Sequence, residues 1–128
     1  LKDHKGAKAS YNKAIEINPN NASVYINRGL SKYNLGDYYG AIADYTRAIE
    51  INPNYDLAYY NRGLSKDDLE DYKGAIADYN KAIEINPNYA SVYINRGIVK
   101  EDLQDYKGAI ILIKYLVILN FDGNIDIK

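Results

Sequence analysis

Residues 22–55 read ASVYINRGLSKYNLGDYYGAIADYTRAIEINPNY, and residues 56–89 read DLAYYNRGLSKDDLEDYKGAIADYNKAIEINPNY. Laid one beneath the other, they agree at Tyr25 and Tyr59, at Asn27-Arg28-Gly29 and Asn61-Arg62-Gly63, and through a closing Ala-Ile-Glu-Ile-Asn-Pro-Asn. Working outward, Pro19, Pro53 and Pro87 recur at an interval of 34 residues, as do Gly6, Gly40, Gly74 and Gly108. Asn95-Arg96-Gly97 carries the same phrase into a further unit. A fixed period of this size denotes stacked supersecondary units sharing a continuous core. Function in such an array lies in an extended surface presented to a partner.

Each unit reads as two helices. Val24, Tyr25, Gly29 and Tyr33 share a face of a helix over about 22–35, and Ala41, Ile42, Tyr45, Ala48 and Ile49 share one over 38–51. Between them Gly36 punctuates the chain and Asp37 suits an N-cap, its carboxylate accepting from orphan amides. Pro53 ends the second helix, because it lacks an amide and biases Asn52 away from helical angles. The same spacing predicts helices over 56–69 and 72–85, then over 90–103 and 106–119. Residues from about 3 to 17 match only the second helix of a unit. The expected organisation is a truncated unit (1–21), repeats at 22–55 and 56–89, a divergent apolar last repeat (90–122) and a tail (123–128).

Bulk properties narrow the function. With 128 residues and a formal charge of −1, the chain has no global source of attraction to phosphate, so nucleic acid is not an expected partner. Cysteine is absent, which removes disulfides, thiolate metal sites and thiol chemistry. His4 is the only imidazole. Asp67-Asp68-Leu69-Glu70-Asp71 lacks the alternating ligands and central glycine of a calcium loop. No base, nucleophile or phosphate loop stands out, so neither an enzyme nor a cofactor is expected. The sequence shows no signal peptide or spanning segment, lacks methionine and opens inside a repeat, as a fragment would. The lack of cysteine fits a reducing cytoplasm.

The pattern resembles the tetratricopeptide repeat family across about residues 3–122. The family's large aromatic early in the first helix is matched by Tyr25, Tyr59 and Tyr93, and its small residue four positions on by Gly29, Gly63 and Gly97. Its small, aromatic and small residues in the second helix are matched by Ala41, Tyr45, Ala48 and by Ala75, Tyr79, Ala82. The resemblance implies an all-α fold, a right-handed α-solenoid of antiparallel helix pairs. Most of the 15 tyrosines are then packing residues. Arg28, Arg62 and Arg96 stand where the family usually has leucine, and Lys32, Lys66 and Lys100 where it often has tyrosine. A semi-buried guanidinium needs an acceptor. Asp44 and Asp78 recur in phase, and pairing is expected within a repeat (Arg28 with Asp44, Arg62 with Asp78) or across the junction (Arg62 with Asp44, Arg96 with Asp78).

The resemblance also implies a concave groove lined by the first helices, holding an extended peptide or a partner helix. Carried over, its apolar floor is Ile26, Leu30, Tyr60, Leu64, Ile94 and Ile98, with an amide ladder of Asn27, Asn61 and Asn95 to hydrogen-bond peptide backbone. Asp67, Asp68, Glu101 and Asp102 form an acidic rim, which favours a partner with an apolar anchor and basic flanks. Relatives that clamp the carboxylate end of a chaperone tail carry lysine and a second asparagine where this chain has isoleucine, tyrosine or leucine.

The last helix departs from the register. Ile111, Leu112, Tyr115 and Ile118 replace Ala77, Asp78, Lys81 and Glu84, leaving a run that is apolar nearly all round. Such a helix is normally buried on every side, yet this run is too short to span a bilayer. Three covers are open: the tail with Phe121, Ile125 and Ile127, a second chain in a homo-oligomer, or head-to-tail stacking on the first helix with its exposed Ala7, Tyr11 and Ala14. The alternative function is therefore a structural module that assembles copies through Ile111, Leu112, Tyr115 and Ile118.

Overall fold

The computed structural model describes residues 2–121. Within them the chain forms six helices and no strand: α1 (His4–Ile17), α2 (Ala22–Asn34), α3 (Tyr38–Ile51), α4 (Asp56–Asp68), α5 (Tyr72–Ile85) and α6 (Ala90–Phe121). Each packs chiefly on its neighbour in the chain, α1 on α2, α2 on α3 and onward to α5 on α6, with a slighter contact between α2 and α4. This is an all-α solenoid of helix pairs.

Local chemistry sets the helix ends. The carboxylates of Asp3, Asp37 and Asp71 accept from the amides of Gly6, Gly40 and Gly74 at 2.8, 2.9 and 3.1 Å. Each thus satisfies one donor that the first turn leaves open. At the other end, Asn18, Asn52 and Asn86 turn extended, and their amides bond back to Ala14, Ala48 and Ala82. Proline follows in each case and stops the helix. Between the helices of a pair, Gly36 takes φ 83° and Glu70 φ 61°, a left-handed step that reverses the chain.

The pairs close on a ring-into-notch contact. A Cβ added to Gly29 would lie 2.6 Å from Cε1 of Tyr45, and one added to Gly63 would lie 2.5 Å from Cε1 of Tyr79. Only glycine leaves room for the ring. Around these contacts Ala41, Ala48, Ala75 and Ala82 are wholly buried, and with Tyr45 and Tyr79 they form the two centres of the core.

The final unit does not form the expected helix pair. The segments 90–103 and 106–119 are one continuous helix, α6. Two features explain this. Gln104 occupies the place of Gly36 and Glu70, and without a glycine the left-handed step carries a steric cost that Glu70 also bears and that only the return of the second helix offsets. In addition, the second half has lost the side chains that would draw it back. Ile113 replaces Tyr45 and Tyr79, the bulky Leu116 replaces Ala48 and Ala82, and Leu112 replaces Asp44 and Asp78. A Cβ at Gly97 accordingly meets nothing within 4 Å. Asp105, expected by register to open a new helix, lies inside the old one.

Candidate functional site

The arginine positions resolve first, because they fix how neighbouring helices register. Arg28 forks onto Asp44, Nε to Oδ2 at 2.8 Å and Nη2 to Oδ1 at 2.6 Å. Arg62 forks onto Asp78 at 2.9 and 2.7 Å. Pairing is thus within the repeat. Lys32 and Lys66 close on the same carboxylates at 3.1 and 2.9 Å, so each aspartate, itself 4% exposed, holds two cations. The Asp44 and Asp78 hydrogen bonds raise the affinity of Arg28 and Arg62 for their protons. Across the junctions, the third arginine nitrogen reaches a neutral acceptor: Asn12, Thr46 and Asn80 for Arg28, Arg62 and Arg96. Leu112 stands where Asp44 and Asp78 do, so Arg96 makes no fork of this kind. Each of the three guanidinium groups also lies over the tyrosine three residues before it, at 5.6, 5.5 and 5.3 Å from the ring centroid.

The expected groove residues divide. Ile26 is 2% exposed, packed in the cluster that includes Ala58 of α4, and Asn61 is 6% exposed. Ile26, expected in the apolar floor, and Asn61, expected in the amide ladder, are thus buried and not open to a ligand. The amides do not form a continuous open ladder either. Asn95 donates through Nδ2 to the hydroxyl of Tyr60 at 2.7 Å, while Asn27 is exposed. One repeat before Tyr60 stands Ile26, which has no hydroxyl, and the Nδ2 of Asn61 finds no acceptor among the described residues. Leu30, Tyr60 and Leu64 are half-buried, and Ile94 and Ile98 are exposed on α6.

At the end of these helices the acidic side chains converge. Asp68 accepts from the hydroxyl of Tyr33 in the preceding repeat. The Asp67 carboxyl is raised above the usual carboxylate range, chiefly by burial and further by the charges of Asp68 and Asp102. Burial and the Asp68 contact push the Tyr33 phenol up as well. Glu101 is exposed and Asp102 half-buried on α6. Of the expected self-association residues, Ile111, Leu112, Tyr115 and Ile118 are all exposed on the second half of α6. The tail residues Ile125 and Ile127 lie outside the described residues.

A cavity of about 460 Å³ opens between α1 and α2, lined by Ala7 and Tyr11 from one and Asn27, Leu30 and Asn34 from the other. The repeat explains it. Tyr11 is the counterpart of Tyr45, which fills the notch at Gly29, and Asn27 is the counterpart of the buried Asn61. By register the cavity lies where the first helix of a preceding repeat would pack. Ala7, Tyr11 and Ala14, expected to be exposed, are half-buried, and Asn27 completes the hollow from α2. No helix in the described residues is long and apolar enough to cross a membrane.

Family models agree with this geometry. A tetratricopeptide repeat model matches residues 22–55 and 57–89, and related ones match 1–36 and 78–111. No curated protein matches the chain by sequence. Among solved structures, the first such domain of Spaghetti (RPAP3) bound to the HSP90 peptide SRMEEVD is 25% identical, with a TM-score of 0.77 over 79% of this chain and 80% of that one. The Sgt2 domain from Aspergillus fumigatus is 27% identical, with a TM-score of 0.78 over 82% and 71%. The Arabidopsis OM64 domain is 28% identical, with a TM-score of 0.76 over 77% and 82%.

Proposed function

The chain belongs to the tetratricopeptide repeat family, and on that premise we propose that it is a protein–protein interaction scaffold that holds an extended peptide, or one face of a partner helix, along its first helices. The contact residues are Asn27, Leu30, Tyr60, Leu64, Ile94, Asn95 and Ile98, and the partner carries an apolar anchor flanked by Lys or Arg. The observation that carries this reading is the crowded carboxylate of Asp67, raised by its burial and by Asp68 and Asp102. A cation placed there relieves repulsion, whereas the acidic residues of a peptide such as SRMEEVD, bound by a similar domain, would add to it.

Fluorescence anisotropy with two labelled peptides tests the proposal: SRMEEVD, and a version with both glutamates and the aspartate changed to lysine. The basic peptide is expected to bind at least about tenfold tighter, a difference near 1.4 kcal/mol. Its advantage should shrink as pH falls. Because the folded Asp67 pKa is raised, that carboxylate is neutralised at a higher pH than an ordinary one. Equal or reversed affinities would refute the proposed partner chemistry.

A second reading rests on a separate observation, the exposure of Ile111, Leu112, Tyr115 and Ile118 along α6. In it the second half of α6 assembles copies of the chain through an apolar seam. Sedimentation of Leu112→Asp with Ile118→Glu tests this: a seam predicts loss of association.

A further inference from the structure

Asp44 and Asp78 each gather an arginine and a lysine. Asp67 and Asp68, at the end of α4, gather no cation among the described residues, and the neighbouring Lys66 is committed to Asp78 at 2.9 Å. Beside them lies an unsatisfied group. Tyr79 of α5 is fully buried, and its hydroxyl has no hydrogen-bond partner among the described residues. An orphaned buried hydroxyl calls for an explanation. Its ring fills the notch at Gly63, one helical turn before Asp67, with the ring of Tyr60 at 6.0 Å. Burial holds the Tyr79 phenol above its ordinary value, the charge of Asp67 does so next, and Tyr60, Tyr33 and Asp68 add to it. The orphan hydroxyl thus points into the acidic group. Tyr33 of α2 joins the same group by donating to Asp68.

We infer that this place takes the ammonium of one lysine of the bound peptide, with Asp67, Asp68 and the Tyr79 hydroxyl oxygen as its acceptors. The inference rests on the peptide reading above and names the group read at its acidic end. Acceptor geometry selects lysine over arginine. A guanidinium is a planar fork that suits a single carboxylate, as Arg28 and Arg62 show on Asp44 and Asp78. Here the acceptors belong to separate side chains on α4 and α5. An ammonium offers three donors that diverge from one point. The Tyr79 hydroxyl is buried, so a cation that reaches it must be compact and carried on a flexible stem, which lysine supplies. The middle repeat combines parts that its neighbours do not. One repeat earlier Tyr33 and Asn34 stand in place of the two aspartates, and one repeat later Ile113 stands in place of Tyr79. The site therefore reads one lysine at one position along the groove.

Fluorescence anisotropy with the lysine-substituted peptide, and with one carrying arginine at the same places, tests it. The lysine peptide should bind the unmodified chain at least about fivefold tighter than the arginine peptide. Tyr79→Phe keeps the ring in its notch and removes a hydroxyl that has no partner, so thermal unfolding should be unchanged or later. The same variant should bind the lysine peptide at least about tenfold more weakly and the arginine peptide within about twofold of the unmodified chain. Asp67→Asn, at a half-buried position with no ion pair to lose among the described residues, gives an independent check and should weaken the lysine peptide by a similar factor. Undiminished lysine binding in folded Tyr79→Phe, or in Asp67→Asn, overturns the site and leaves the groove reading standing. Equal loss of both peptides in Tyr79→Phe overturns the assignment to an ammonium. Failure of both peptides to bind the unmodified chain overturns the groove reading and this site with it.

Discussion

Asp44 and Asp78 show how one side chain can carry a joint. Each is buried and gathers an arginine fork and a lysine, which accounts for Arg28, Arg62, Lys32 and Lys66 at places where the family usually has leucine or tyrosine. Removing the anion strands two cations in a poorly solvated place. Asp78→Ala is therefore expected to destabilise the chain by about 3 kcal/mol in urea unfolding. Replacing Asp78, Arg62 and Lys66 together with Leu, Met and Met should recover most of that, because an apolar set needs no counter-charge. Glu84→Ala breaks only the exposed pair with Lys81 and should cost no more than about 0.5 kcal/mol. If Asp78→Ala proves as mild as Glu84→Ala, the clamp is not structural.

At the scale of the element, α6 is the exception that exposes the rule. The inner pairs turn because a left-handed residue reverses the chain and because tyrosine, alanine and aspartate reward the return. The last unit lacks both. Restoring them with Gln104→Gly, Leu112→Asp, Ile113→Tyr and Leu116→Ala should fold the helix back on itself. Spin labels at positions 90 and 120 report the change. In the straight helix they stand about 45 Å apart. In the hairpin they should approach as their counterparts do, Asn86 donating to Asp56 at 3.0 Å. A distance that stays long in the quadruple variant would show that the turn and knob residues are insufficient.

For the whole molecule, stability follows the stacking order. The cores lie around α2 to α5 and the start of α6, where Val92 and Val99 are buried. Residues 106–120 have no comparable packing among the described residues. In a solenoid, each unit is held by its neighbours, so opening free energy should fall toward the ends. Hydrogen exchange at low protein concentration should therefore be slowest in α3, α4 and α5 and fast over 106–121. Uniform protection along α6 in the single chain would contradict this gradient.

The sequence by itself determined the period, the helix pairs from residue 22 to 85 and their caps. These depend on local steric and hydrogen-bond preferences that Gly, Pro, Asp and Asn state openly. It also named Asp44 and Asp78 as partners for the arginines, since charges in phase must answer one another, but it left open which repeat each would serve. Tertiary structure alone decided that, because the fork must match a distance between helices. It likewise decided the fate of Ile26 and Asn61: helical spacing gives a face but not what covers it, and tertiary packing buries both. The straight run of α6 was the hardest to read. The in-phase Asp105-Tyr106-Lys107-Gly108-Ala109 signals a new helix, yet a cap only permits a helix to begin. A chain reverses when the turn and the contacts beyond it outweigh helix continuation, and at Gln104 they do not.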